Sequence, residues 1–354
     1  MNDNNIYNEF DYDNIKTKEK RPEKKKSKKL LITFVILDFL AILTLFLFYG
    51  PISYFKNLLV TTSMTTMEHK FLARAIYSED TIMEVLNNNY VLEINEPTKV
   101  DDIIFKSVPE TDRYESIYEE QILKKDNKND LYKVIDIEGK GYKGFLVAIY
   151  DASKVSLYSF RASKGDLLSN VIEKTKALVG MNASGFYYPD GVMKPTGLVI
   201  QNSKVLSAGK STNRIGGLIG FNYDNVLVLS KDKSSKVIKT FRDAVEFGPF
   251  LIVNGQASEI KGDGGWGIAP RTAIGQRKDG IVLFLVIDGR NVGYSLGANM
   301  KEMQKIFLRY KAHNAANLDG GGSSSLVIEG ELHSNPAGNS YKGERYIPNA
   351  WILK

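Results

Sequence analysis

The sequence predicts an α+β fold of mixed β-sheets with a few covering helices, preceded by an amino-terminal transmembrane helix. Three observations predict this class. Strand patterns outnumber helix patterns after residue 130, Gly- and Asn-rich turns separate them, and an apolar run lies near the amino terminus. With 354 residues, 43% of them hydrophobic and 11% aromatic, the chain can bury a sizeable core.

Residues 1–29 form a polar segment rich in Asn and Lys. Nine Lys or Arg lie between Lys16 and Lys29, against two Glu. The formal net charge of +6 comes from this cluster, and the rest of the chain is close to neutral, so the charge indicates no nucleic-acid partner. We expect a basic, disordered, cytoplasmic tail.

Residues 30–49 are predicted to form a transmembrane helix. Twenty mostly apolar residues, at a rise of about 1.5 Å each, cross the hydrocarbon core of a bilayer. A cleavable signal peptide would have a shorter apolar region and a small-residue cleavage site, which residues 49–55 lack. The sequence therefore favours an uncleaved single-pass anchor in the cell membrane, with the carboxy-terminal domain outside the cytoplasm.

Residues 50–130 are expected to contain a juxtamembrane helix and a linker. Apolar residues near the 3.6-residue spacing predict the helix at about 63–88, while charge and prolines predict an irregular linker at about 93–129. The chain has no cysteine, which excludes disulfides, thiolate catalysis and cysteine-based zinc sites.

Residues 131–354 are predicted to form the outer domain. Alternating or continuous apolar runs bounded by turn residues predict its strands, and helical spacing predicts two helices. The predicted strands are 132–137, 145–150, 155–160, 198–200, 218–221, 226–229, 250–253, 281–287, 315–318, 326–328 and 351–353, and the predicted helices are 166–178 and 295–310.

The most distinctive segment of this domain is residues 317–325, NLDGGGSSS, between two apolar runs. Three glycines, Gly320, Gly321 and Gly322, let a ligand approach the main chain closely. Asp319 and the serine hydroxyls, Ser323 among them, surround that surface with polar groups. Two interpretations are open: a turn that binds a sugar or phosphate ester, or a glycine-rich hairpin without a ligand.

Polar residues also gather at the ends of other predicted strands. They include Asn182, Arg271, Asp288 and Arg290, and Trp266 lies on the Gly-rich loop 262–267. Taken one at a time, these polar residues are also explained as parts of turns or core ion pairs. Two interpretations of Trp266 are open: it stacks on a sugar, or it packs into the core. Should the strand ends converge, arginines would pair with phosphate oxygens and carboxylates would stabilise an oxocarbenium-like centre.

These residues occur in an order that resembles the phosphodiester glycosidase family. The motifs are Asn182 with Gly185-Phe186, Pro195-Thr196-Gly197, Phe247-Gly248-Pro249, Arg271-Thr272-Ala273-Ile274-Gly275, Asp288-Gly289-Arg290 and Asn317-Leu318-Asp319-Gly320-Gly321-Gly322-Ser323. The resemblance covers about residues 142–354 and implies an α+β fold that hydrolyses a sugar-1-phosphodiester bond.

The resemblance also implies which residues form the site. Carried over by motif they are Asn182, Arg271, Asp288, Arg290, Asn317 and Asp319. We expect Asp319, Asp288 and Arg271 to be catalytic. The others, with Gly320, Gly321, Gly322, Ser323 and Trp266, are expected to bind substrate. No cofactor is predicted, although two carboxylates leave a divalent cation open.

We expect an extracytoplasmic hydrolase that cleaves a sugar-1-phosphodiester in a cell-envelope polysaccharide or glycolipid, held to the bilayer by residues 30–49. A non-catalytic glycan-binding or exopolysaccharide-assembly protein on the same fold is the alternative. A third hypothesis is a structural envelope protein that anchors a partner through the helix at about 64–86.

Overall fold

The structure, a computed structural model, describes residues 26–66, 69–107, 113–160, 164–209, 216–339 and 343–354. Residues 1–25 of the predicted tail lie outside the described residues. The chain divides into two compact units, residues 1–56 and residues 57–354. The predicted α+β class is confirmed.

Helices and strands alternate irregularly along the described residues. The helices are α1 (Lys26–Tyr49), α2 (Ser53–Thr65), α3 (Lys70–Ile76), α4 (Glu79–Asn88), α5 (Ile117–Leu123), α6 (Leu168–Thr175), α7 (Ser235–Ile238) and α8 (Met300–Arg309). The strands are β1 (Tyr90–Leu92), β2 (Tyr132–Gly139), β3 (Tyr142–Ile149), β4 (Val155–Ser159), β5 (Val179–Asn182), β6 (Phe186–Tyr187), β7 (Lys194–Pro195), β8 (Leu198–Gln201), β9 (Lys204–Ala208), β10 (Gly217–Asn222), β11 (Leu227–Ser230), β12 (Phe241–Phe247), β13 (Phe250–Val253), β14 (Gln256–Ala257), β15 (Glu259–Lys261), β16 (Arg271–Arg277), β17 (Val282–Ile287), β18 (Ala312–Asn317), β19 (Leu326–Ile328), β20 (Glu331–Leu332) and β21 (Asn349–Leu353).

The first unit contains the apolar helix α1. Its residues 28–49 are long and apolar enough to cross a membrane, which makes the helix a candidate membrane anchor or signal sequence. Asp38 lies near its middle.

Three sheets form most of the second unit. A seven-stranded sheet has the order β14-β13-β18-β16-β17-β3-β2, and two five-stranded sheets have the orders β11-β10-β12-β8-β9 and β20-β19-β5-β21-β4. The ladders among the described strands of these sheets are antiparallel, which refines the prediction of mixed sheets.

The seven-stranded sheet is buried on both faces, which explains the continuous apolar run of β17. Phe284 and Val286 face a cluster shared with the two five-stranded sheets, while Leu283 and Leu285 face a cluster that includes Phe307 of α8. Successive side chains of a strand point to opposite faces, so a strand covered on both sides is apolar throughout.

The structure differs from the sequence prediction before residue 130. In place of one helix over about 63–88 there are α2, α3 and α4. The Ser78 side chain accepts a hydrogen bond from the Thr81 N–H, so it caps the start of α4. The predicted linker contains α5, and residues 57–130 belong to the same compact unit as the outer domain.

Other differences have similar local causes. α8 begins at Met300, later than predicted, because Asn299 and Glu302 form a capping box. The prediction omitted β12 and β16, whose apolar patterns are interrupted by buried polar residues such as Asp243 and Gln276.

Candidate active site

The loop after β18 crosses from the seven-stranded sheet to a five-stranded one. Leu318 N–H donates to the Thr272 carbonyl at 2.8 Å, and Asp319 N–H donates to the Ala183 carbonyl at 3.0 Å. β19 then pairs with β5 and β20. Because β18 and β19 lie in different sheets, the segment is a crossing between sheets and not the glycine-rich hairpin considered above.

The glycines allow this loop to pack against the start of β16. Gly321 has a φ of 65°, and its N–H donates to the Pro270 carbonyl at 2.8 Å. A Cβ on Gly320 would lie 2.8 Å from the same carbonyl oxygen. Side chains at either position would strain the backbone or push the loop away.

A cavity of about 210 Å³ opens above the glycine loop. Its lining combines three arginines, one carboxyl group, the loop glycines and residues from the end of α2. The described lining residues are Thr62, Thr65, Thr66, His69, Trp266, Ala269, Arg271, Arg290, Asp319, Gly320, Gly321, Gly322, Ala337, Gly338, Asn339 and Arg345.

Asp319 contributes the carboxyl group of this cavity. Burial raises its pKa to about 6, whereas the Ser323 hydroxyl, the Arg345 guanidinium and the Gly320 N–H act to lower it. Gly185 lies beside it: a Cβ there would sit 2.9 Å from the Phe247 ring and 3.7 Å from Asp319 Oδ1. A carboxyl group with this pKa can exchange a proton near neutral pH.

Arg271 is fixed by main-chain carbonyl groups and not by a core carboxylate. Its Nε donates to the Ala298 carbonyl at 2.9 Å, and its Nη2 donates to the carbonyls of Trp266 and Gly267 at 2.6 Å each. Its Nη1 has no hydrogen-bond partner among the described residues. Burial lowers the pKa to about 10, so the guanidinium stays charged at neutral pH.

Two further arginines line the cavity. The Nη2 of Arg290 lies 3.2 Å from the position that a Cβ on Gly321 would occupy. The Arg345 guanidinium lies 4.7 Å from the centre of the Phe186 ring. Its neighbour Glu344 is fully buried and accepts hydrogen bonds from the main chain and hydroxyl of Ser169, which fixes this loop at the start of α6.

Asn182 and Asn317 are buried below the loop and do not line the cavity. Asn182 Nδ2 donates to the Asp319 carbonyl at 2.6 Å, and its Oδ1 accepts from Thr272 Oγ1 at 2.7 Å and from Ser325 N–H at 3.2 Å. Asn317 Nδ2 donates to the Gly248 carbonyl at 2.8 Å. Both amides therefore orient the loop.

Asp288 lies outside the lining of this cavity. Its Oδ2 accepts from the Tyr294 hydroxyl at 2.9 Å, and its Oδ1 accepts from the Asn335 N–H at 2.8 Å. Burial raises its pKa, and these two hydrogen bonds oppose the effect. The structure does not bring Asp288 together with Asp319, and its contacts tie two loops to each other.

Ser323 and Trp266 complete the set of predicted residues. Ser323 is buried and acts on the Asp319 carboxyl without lining the cavity. Trp266 packs against both large core clusters and also lines the cavity, so its stacking on a sugar stays a prediction. Among the described residues no group of three or more His, Asp or Glu side chains could hold a metal ion.

Sequence reasoning missed Arg345 and the threonines of α2. Arg345 stands in a loop with no recognisable motif, and Thr62, Thr65 and Thr66 are some two hundred positions from the rest of the site.

Ser184 also has a supporting role, because its N–H and hydroxyl bond the Asn349 side chain at 2.8 Å each.

Comparison with known proteins identifies similar sequences over the half of the chain that carries this site. The sequence profile described as phosphodiester glycosidase matches residues 175–354. The N-acetylglucosamine-1-phosphodiester alpha-N-acetylglucosaminidase of Bos taurus is 30% identical over 155 residues, which are 38% of this chain and 29% of the relative. The SPbeta prophage-derived protein YomE of Bacillus subtilis is 27% identical over 185 residues, 50% of this chain and 28% of the relative.

A solved structure with the same fold is the catalytic domain of the zebrafish N-acetylglucosamine-1-phosphodiester alpha-N-acetylglucosaminidase, described as auto-inhibited by its pro-peptide. It matches with a TM-score of 0.50 and 21% identity, over 63% of this chain and 81% of that chain. The chain spans less than a third of the length of the two sequence relatives described above.

Proposed function

Because the chain belongs to the phosphodiester glycosidase family, we propose that it hydrolyses the bond between a sugar C1 and the oxygen of a phosphodiester. The observation that carries this proposal is the single cavity that joins Arg271, Arg290 and Arg345 to the Asp319 carboxyl and the glycine loop. Water supplies the incoming oxygen, and the products are a free sugar and a phosphomonoester.

The arginines supply the phosphate-binding groups. A phosphodiester carries one negative charge, and guanidinium groups match its oxygens with directed N–H donors. Arg271 is positioned in advance because main-chain carbonyls hold its Nε and Nη2 and leave Nη1 for the ligand. The same charges stabilise the phosphate as it leaves, which reduces the need for a strong general acid.

Asp319 supplies the catalytic carboxylate. When ionised it either removes a proton from the attacking water or attacks C1 itself, and in both cases its charge stabilises the oxocarbenium-like centre. Its pKa of about 6 means that it is mostly ionised at pH 7 and can still accept a proton.

Asp288 has a supporting role in this scheme, because both of its carboxylate oxygens accept hydrogen bonds from neighbouring loops. Asn182 and Asn317 position the loop that carries Asp319. Gly320, Gly321 and Gly322 bring the main chain to the ligand.

We further propose that the natural substrate is a cell-envelope polysaccharide or glycolipid. The support is α1, which would hold the enzyme at a membrane with residues 57–354 on the extracytoplasmic side. The name of the Bos taurus relative makes an N-acetylglucosamine-1-phosphodiester the first compound to test.

The test is release of N-acetylglucosamine from UDP-N-acetylglucosamine by the full-length protein in detergent. Wild-type protein should release the sugar, and Asp319→Asn should lose at least about a hundredfold in kcat while melting at no lower a temperature than wild type. Arg74→Lys, in an exposed ion pair of α3, serves as control. Tight glycan binding without any product would instead support the non-catalytic alternative.

A further inference from the structure

One wall of the cavity comes from outside the part of the chain that matches the family profile. The profile covers residues 175–354, whereas Thr62, Thr65 and Thr66 at the end of α2 line the same cavity as Asp319. Gly267 makes room for this wall, because a Cβ there would lie 2.3 Å from Thr62 Oγ1.

The threonine wall is tied to the arginine side through the loop that carries Trp266. Thr61 Oγ1 donates to Asp263 Oδ2 at 2.5 Å, and Ile268 N–H donates to Thr62 Oγ1 at 3.4 Å. The carbonyl oxygen of Trp266 accepts from Arg271 Nη2 and lies 3.5 Å from Thr65 Oγ1. The wall therefore has a fixed place relative to the guanidinium groups.

The hydroxyl groups of this wall differ in what they can offer a ligand. The single Thr65 hydroxyl proton is shared between the carbonyls of Thr61 and Thr62, and Thr66 Oγ1 donates to the Ser63 carbonyl and accepts from the His69 N–H. In this arrangement the protons of both hydroxyls are engaged within the chain, and both oxygens offer a lone pair to a ligand. The Thr62 hydroxyl accepts from Ile268 and donates to no described residue, so it can donate.

This mixture of two accepting oxygens and one donating hydroxyl suits a sugar better than a phosphate. A phosphodiester offers only acceptor oxygens and would face the lone pairs of Thr65 and Thr66, whereas sugar hydroxyls both donate and accept. Trp266, which lines the cavity next to the threonines, adds an aromatic side chain of the kind that packs on sugar rings. The positive charge of the cavity comes from Arg271, Arg290 and Arg345.

We propose that Thr62, Thr65 and Thr66 form the sugar-contacting wall of the cavity, with the substrate oriented so that its phosphate faces Arg271, Arg290 and Arg345. This inference rests on the proposed function and adds to it the orientation of the substrate. It also makes α2, which lies outside the family-matched region, a determinant of sugar specificity.

The experiment compares two ligands on the full-length protein by calorimetry: UDP-N-acetylglucosamine and inorganic phosphate. Thr65→Val and Thr62→Val should each weaken binding of the sugar diester roughly three- to tenfold and leave phosphate binding unchanged. Arg345→Gln should weaken binding of both ligands. Thr240→Val, whose hydroxyl bonds the Val237 carbonyl and does not line the cavity, should change neither.

Thr65→Ser keeps the hydroxyl and should bind the sugar diester within about twofold of wild type. This variant shows whether the weaker binding of Thr65→Val comes from the lost hydroxyl or from misfolding. The inference is overturned if the valine variants weaken both ligands equally, weaken neither, or bind the sugar diester more tightly, since tighter binding would show that the segment obstructs the cavity. Failure of wild type to bind either ligand would overturn it as well. Binding is measured apart from turnover, so wild-type protein that binds as described without releasing sugar would contradict only the proposed function.

Discussion

Asn182 Nδ2 donates a 2.6 Å hydrogen bond to the main-chain carbonyl of Asp319, which joins the end of β5 to the glycine loop. The same amide accepts from Thr272 Oγ1 and Ser325 N–H, so one buried side chain connects three segments. Buried hydrogen-bond networks of this kind fix a single geometry when all members are satisfied.

We expect Asn182→Ala to lower kcat at least tenfold with little change in KM, because Asn182 does not line the cavity and acts on the orientation of Asp319. Stability should fall by about 1–3 kcal/mol, since Ser325 N–H and the Asp319 carbonyl lose a partner in a buried setting. Steady-state kinetics and urea unfolding measure the two effects. Thr272→Val, which removes only one of the three bonds, should have a smaller effect on kcat, and an equal loss would contradict the positioning role.

The rate should depend on the ionisation of Asp319. Because the ionised carboxylate is the base or nucleophile and its pKa is about 6, kcat/KM should fall tenfold per pH unit below this value. A pH–rate profile with a substrate that does not titrate between pH 4 and 8 measures this. Highest activity at pH 5 would mean that the protonated form is required.

The free energy of unfolding should show the opposite pH dependence to kcat/KM. The folded pKa of Asp319 is above the ordinary carboxyl value of 3.8, so between about pH 4 and pH 6 the folded protein keeps a proton that the unfolded chain releases. This contribution to stability is present below pH 4 and is lost as the pH rises through 6, at a cost of at most about 3 kcal/mol. Asp319→Asn should therefore equal wild type near pH 4 and exceed it at pH 7.5 in chemical unfolding, and a gap of the same size at both pH values would disprove the buried titration.

Arg271 cannot be replaced by lysine. A single ammonium group keeps the charge, but it cannot bond the carbonyls of Ala298, Trp266 and Gly267 from separate nitrogens and also reach the ligand. Arg271→Lys should reduce kcat/KM at least a hundredfold and lower the melting temperature. Retention of more than a tenth of wild-type activity would show that its charge alone is sufficient.

Gly321 and Gly330 allow strain to be separated from function. Both have positive φ, 65° and 85°, so alanine at either should cost about 1 kcal/mol of stability. Only at Gly321 would the new Cβ meet a cavity residue, Arg290 Nη2 at 3.2 Å, whereas nothing lies within 4 Å at Gly330. We expect similar melting temperatures for the two variants and a loss of activity in Gly321→Ala alone.

The sequence predicted the apolar strands well because their signal is local. β13 and β19 have the predicted bounds, and β17 differs by one residue. β12 and β16 were not predicted because partners distant in the sequence satisfy their buried polar residues. Gln276, for example, accepts from the Leu227 N–H and donates to the Asn225 carbonyl. Residue patterns do not reveal such partners.

In the candidate site, too, the residues with a local sequence signal were predicted and those positioned by tertiary packing were not. The order of the motifs pointed to Arg271, Arg290, Asp319 and the glycines, which the structure brings to one cavity. Asp288 belongs to the same motif as Arg290, but its carboxylate bonds the Tyr294 hydroxyl and the Asn335 N–H outside the cavity lining, and the motif does not reveal these partners. Arg345 and Thr65 reach the cavity only through tertiary packing, for which the local sequence carries no signal.

The pairing of β4 with β21 places Ser159 opposite Asn349, and the Asn349 side chain bonds Ser184 next to Gly185. Because β4 and β21 are far apart in the sequence, their pairing costs chain entropy before any contact compensates for it. We therefore expect the Ser184 neighbourhood to be completed late in folding, after the helices and local hairpins have formed.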